Sequence, residues 1–173
     1  MRTGRIVLII LSVILVCGLI AACSFSNSND DMDLEDVVDR ICEGVDVPAY
    51  EIVPLDSNNF EYFAFVSYED GYTAVAADAL VNITPHSLVI IHTEDGNGQL
   101  LAEEIFENAD PNKWLCVGSE ALKVACTDHY VALIMSYRDV CDGITANFEK
   151  FAGDLNDGEF NFMTADNDIR YVE

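Results

Sequence analysis

The residues best equipped for chemistry are a thiol, a carboxylate and an imidazole in the stretch Cys126-Thr127-Asp128-His129. A cysteine nucleophile needs a base within hydrogen-bond reach, and the base needs a partner that orients it. All three types are here, but neighbours along a turn point in different directions, and no oxyanion donors stand out beside them. The stretch therefore reads as a polar turn, and no catalytic residue is assigned. His86, His92 and His129 lack the spacing of a zinc site, and His92 closes an apolar run, where a satisfied histidine is the plainer reading. The stretches 154–158 and Asp166-Asn167-Asp168 offer the hard oxygen ligands that calcium takes. Neither has the loop spacing with glycine sixth and glutamate twelfth, so no metal and no cofactor is assigned.

The strongest signal is an address. Arg2 and Arg5 precede an almost uninterrupted apolar run from Ile6 to Ala22, which closes on small residues. These are the three parts of an export signal. The close, Ile20-Ala21-Ala22-Cys23, resembles a bacterial lipobox, in which small residues let a signal peptidase cut just before a cysteine. That resemblance implies diacylglyceryl transfer to the Cys23 sulfur and cleavage of the Ala22–Cys23 bond, leaving residues 1–22 as a discarded signal. Two acyl chains anchor stably where one binds only marginally. The competing reading is an uncleaved transmembrane helix, because the run approaches the ~20 residues that span a bilayer. Cys17 follows Val16 rather than a small residue, which makes it a poor alternative cleavage site.

Residues 23–32 are small, polar and acidic, and predict a flexible tether. The chain of 173 residues carries 31 Asp and Glu against 8 Lys and Arg, a formal net charge of −23, and removal of Arg2 and Arg5 makes the remainder more negative still. Such a balance cannot neutralise phosphates, which argues against nucleic acid, and it disfavours a second contact with anionic lipid. It suits solubility, a cationic partner or a divalent cation. With 51% hydrophobic residues, nine Phe and seven Tyr, the chain can still bury a core.

Cys42, Cys116, Cys126 and Cys141 remain once Cys17 and Cys23 are set aside. An even number outside a membrane suggests bridges, with Cys42–Cys141 the pair if two helices are neighbours. Three of the four fall on apolar stripes, however, where a free cysteine behaves as a small hydrophobe. Both alternatives stay open.

The positioning elements follow from periodicity. Leu34, Val37, Val38, Ile41, Cys42 and Val45 make one face of a helix. Residues 48–59, with two prolines, predict an irregular connection. Phe60 to Tyr68 predicts a strand buried on both faces, while Tyr72 to Ile83 fits a short helix or a strand, with Ala74 to Leu80 leaning towards helix. Ser87 to Thr93 is a β-branched central strand, and Gln99 to Asn108 is a helix with Leu101, Ile105 and Phe106 inward. Asp110-Pro111 opens a turn that sets Trp114 against the core. Residues 120–137 form a hairpin with Leu122, Val124 and Cys126 inward and Lys123 outward. Ser136 and Asp139 resemble a capping box before a helix with Cys141, Ile144, Phe148 and Phe151 on one stripe. The expected class is α+β, a small mainly antiparallel sheet with helices packed on one face, as a single domain over 33–153. Residues 154–173 read as an acidic, loosely ordered tail.

A lipobox, an amphipathic helix, the run His86 to Val117 (HSLVIIHTEDGNGQLLAEEIFENADPNKWLCV) and a hairpin resemble lipoproteins of Gram-positive bacteria that carry a domain of unknown function. The resemblance covers roughly Asp33 to Phe151. It implies a location on the extracytoplasmic face of the cell membrane, with no activity and no functional residues attached. The functional expectation is a non-enzymatic binding or interaction domain whose partner is an extracytoplasmic protein or small ligand. The alternative is a receptor for a small ligand or divalent cation. A receptor needs a concave site with convergent polar groups; an interaction module should expose apolar surface.

Overall fold

The computed structural model describes residues 33–81, 83–156, 160–165 and 168–171, with side chains up to 156. The signal, Ala22, Cys23, the tether and Asn82 lie outside the described residues. Helix α1 (Leu34–Cys42) leads into strand β1 (Tyr50–Leu55), a short α2 (Phe60–Ala64), β2 (Tyr72–Ala79) and β3 (Ser87–Thr93). Then come α3 (Gly98–Asn108), the hairpin β4 (Ala121–Cys126) and β5 (Tyr130–Ser136), α4 (Arg138–Ala152), β6 (Phe160–Ala165) and β7 (Asp168–Tyr171). The fold is α+β. All pairings are antiparallel, and the sheet runs in the order β1-β2-β3-β5-β4-β6-β7.

The expected class holds, but the helices divide between the two faces of the sheet. Alternation along each strand sends Leu88, Ile90, Ala132 and Ile134 towards α1 and α4, and Val89, Ile91, Leu133 and Met135 towards α2 and α3. Two apolar cores result, one on each face. This explains why β4 and β5 are buried at every position and why Lys123 is buried rather than turned outward. Its ammonium pairs with Asp142 of α4 at 2.8 Å.

Several local expectations change for physical reasons. Residues 50–55 pair with β2 despite Pro54, because β1 is an edge strand, where a missing donor costs least. Phe60 to Tyr68 begins as a helix: Phe60, Phe63 and Ala64 are buried at helical spacing while Glu61 and Tyr62 face out. An Asp56–Asn59 turn starts it, with Asn59 accepting from the Asp56 amide at 2.7 Å and Asp56 from that of Asn58 at 2.8 Å. Residues 72–79 form a strand rather than the helix expected around Ala74 to Leu80. The layers on both sides leave room for small side chains, and tertiary packing overrides alanine's helix preference. Ser136 does not cap α4; Tyr137 takes the cap position, and Asp139 accepts from the Val140 amide instead. Residues 160–165 and 168–171, expected within a loose acidic tail, form strands that extend the sheet beyond β4. Asp33 caps the start of α1, accepting from the Glu35 amide at 3.1 Å.

Candidate functional site

The Cys126–His129 stretch does not assemble a triad. The Cys126 thiol donates to Gln99 Oε1 at 3.3 Å, Asp128 accepts from Asn156 Nδ2 at 2.9 Å, and His129 Nδ1 donates to the Thr93 carbonyl at 2.9 Å. Burial pushes the Cys126 thiol up to about 11, with Glu103 and Asp128 adding to the rise, so it holds its proton at neutral pH. His92 stacks on His129 with ring centres 6.1 Å apart. His86 sits at the other end of β3, its Nδ1 3.1 Å from Ser136 Oγ. Among the described residues, no three His, Cys, Asp or Glu side chains come together in a way that could hold a metal ion. Cys42, Cys116, Cys126 and Cys141 are free thiols; Cys116 is exposed and the others are buried. No helix among the described residues is long and apolar enough to cross a membrane.

The most developed polar site was not singled out by sequence. The strap between α3 and β4 is shaped by Asp110, whose side chain accepts from the Asn112 amide at 2.8 Å while its carbonyl accepts from the Lys113 amide. The strap sends the Lys113 side chain back over the sheet, where only 8% of it is exposed. Lys113 Nζ donates to Asp78 Oδ1 at 3.0 Å and to Ser87 Oγ at 2.8 Å. Asp78 and Ser87 are register partners in the β2–β3 pair, so two strands fix the two acceptors side by side. The same nitrogen lies 5.7, 5.3 and 5.2 Å from the ring centres of Tyr62, Phe63 and Trp114, within reach of each ring's negative face. Burial pulls the Lys113 ammonium below its ordinary value, and Asp78 offsets part of that. Trp114 packs against the α2–α3 core as expected. The signal available in sequence was a lysine beside the only tryptophan, in an Asp-Pro turn of a chain short of cations.

Around this site the end of the sheet exposes apolar side chains. Tyr62 is 68% exposed, Leu80 58%, Val81 52%, Ile83 72% and Leu115 fully so. Leu80, Val81 and Ile83 lie in the β2–β3 loop just beyond Asp78, and Leu115 is two residues after Lys113. On the other face of the same end lies a cleft of about 460 Å3, lined by Asp46, Val47, Pro48, Glu120, Tyr137, Asp139 and Val140. Two of its acids already serve the backbone, Asp139 accepting from the Val140 amide and Glu120 from that of Arg138.

No protein-family model, curated protein or solved structure matches this chain.

Proposed function

We propose that this chain is a lipid-anchored, extracytoplasmic, non-enzymatic domain that binds another cell-surface component through the apolar end of its sheet. The observation that carries the binding is the exposure of Tyr62, Leu80, Val81, Ile83 and Leu115 around the Lys113 end of the sheet; Leu100 on α3 is exposed apart from them. The anchor rests on the lipobox-like Ile20-Ala21-Ala22-Cys23, and the acidity of the chain supports a partner that is not nucleic acid.

Two measurements test this reading. On intact cells, a photoactivatable residue placed at Ile83 or Leu115 should give a discrete crosslinked species that one at Glu149 on the exposed side of α4 does not. Equal yields from all three positions would remove the interface. Metabolic labelling with an alkyne analogue of palmitate should mark the chain and spare a Cys23→Ala variant. Label retained by that variant would remove the anchor.

The cleft lined by Asp46, Glu120, Tyr137 and Asp139 favours a second reading, a receptor for a small ligand. A saturable rise in unfolding midpoint with one compound of a small-metabolite panel, lost in Asp46→Asn, would support it through mass action.

A further inference from the structure

The surroundings of Lys113 Nζ have the parts of an ammonium receptor. One carboxylate and one hydroxyl accept from the nitrogen, and three aromatic rings ring it within cation–π range. We propose that this is a binding site for a primary alkylammonium, occupied in the resting chain by Lys113 itself, and that a lysine-type ammonium from outside exchanges with it. The inference rests on the reading of the chain as a binding domain and names the chemistry of what it binds.

Three features favour exchange over a permanent staple. The acceptors Asp78 and Ser87 and the rings of Tyr62 and Phe63 belong to β2, β3 and α2, so most of the receptor stays in place when the strap moves. One edge of the site reaches solvent: Tyr62 is mostly exposed and 22% of the Asp78 side chain is accessible, while Ser87 is fully buried. Desolvation is the largest influence on Lys113, so releasing its ammonium to water recovers hydration and offsets part of the lost contacts. The ligand class follows from the acceptors. Asp78 and Ser87 each take an N–H, which a primary ammonium supplies and a quaternary one lacks. The alkyl stem of a lysine suits the aromatic walls.

The chain carries a single tryptophan, Trp114, which makes its fluorescence a local reporter. The full chain in detergent micelles is titrated with Nα-acetyl-lysine methylamide, 1,5-diaminopentane and tetramethylammonium. Lys113→Ala removes an internal competitor whose effective concentration is of millimolar order or above. This variant should therefore saturate with one of the primary amines at least tenfold below the wild-type concentration. Adding Asp78→Asn should abolish that gain, and tetramethylammonium should not reproduce it. Saturation by the lysine amide alone points to a protein-borne lysine; saturation by the diamine alone points to a free amine. Equal midpoints in wild type and Lys113→Ala, or indifference to Asp78→Asn, would overturn the site. If Lys113→Ala loses the wild-type circular dichroism, the wild type decides. The Lys113 side-chain resonance in 15N-lysine-labelled chain should move towards that of a solvated lysine as amine is added; an unmoved resonance overturns the proposal. Crosslinking from Ile83 is independent of these readouts, so a failed titration beside a preserved crosslink removes the ammonium site alone.

Discussion

His86 shows most directly how one residue ties this fold to solution conditions. It is fully buried at the foot of β3, with Nδ1 beside Ser136 and Nε2 without a hydrogen-bond partner among the described residues. Desolvation pulls it down to about 4 from 6.5, with Asp78 acting against the shift and Lys113 with it. Between those values the unfolded chain holds the proton and the folded chain does not. The neutral ring's contribution is therefore complete above about pH 6.5 and drains away as pH falls towards 4, amounting to about 3 kcal/mol. Urea unfolding of wild type and His86→Gln across that window should show the stabilities converging towards acid; parallel curves would assign the acid sensitivity to another group. Cysteine chemistry belongs to the same scale. Burial pushes Cys42 and Cys126 up to about 11 and Cys141 to about 12, while Cys116 is exposed. Iodoacetamide on the native chain near pH 8 should modify Cys116 and spare these three until denaturant is added, as read by peptide mass. The stripe positions of Cys42, Cys126 and Cys141 were legible in sequence, because a period places a residue on a face. Lys113 was not, because a strap without periodicity gives no direction to its side chains.

At the scale of elements, the long and strongly patterned segments were readable: α1, β3, α3, the β4–β5 hairpin and α4. The misread ones were short. Phe60 to Tyr68 is apolar enough for either state, and the buried Phe60, Phe63 and Ala64 reveal a helical period only once the outward Tyr62 is known. α3 carries a sharper constraint. Its first residue, Gly98, donates to the Asp128 carbonyl at 2.8 Å, and a Cβ there would lie 2.1 Å from the Thr127 carbonyl oxygen. The obstructing atom is backbone in the β4–β5 turn and cannot step aside as a side chain could. Gly98→Ala should therefore destabilise by about 1–3 kcal/mol or more, against the small gain expected of alanine in an open helix. Chemical denaturation checks it; a neutral or stabilising result would mean that the turn yields freely.

For the whole molecule, two cores on opposite faces of one sheet coexist with a formal net charge of −23. Self-repulsion of that size works against the compact state and is screened over about 8 Å at physiological ionic strength. Raising sodium chloride from about 0.02 M to about 0.5 M should raise the thermal midpoint, because screening shortens the reach of like charges. An unchanged or lowered midpoint would mean that ion pairs such as Lys113–Asp78 and Lys123–Asp142 outweigh the repulsion. The same charge bears on recognition: a partner meeting the apolar end of the sheet gains most if its own rim is basic.

By itself the sequence determined the α+β class, the strongest helices and strands and the acidic balance, because these depend on composition and on local period. It also carries the lipobox-like cysteine, on which the proposed anchor depends. Only the tertiary structure decided that helices cover both faces, that alanine-rich residues 72–79 are a strand, and that β1 joins the edge despite its proline. Those outcomes depend on what packs against each face, which no local window contains. The Lys113 site is of the same kind. Its acceptors come from two strands, two of its rings from a short helix and the third from a strap, and only the closed fold brings them around one nitrogen.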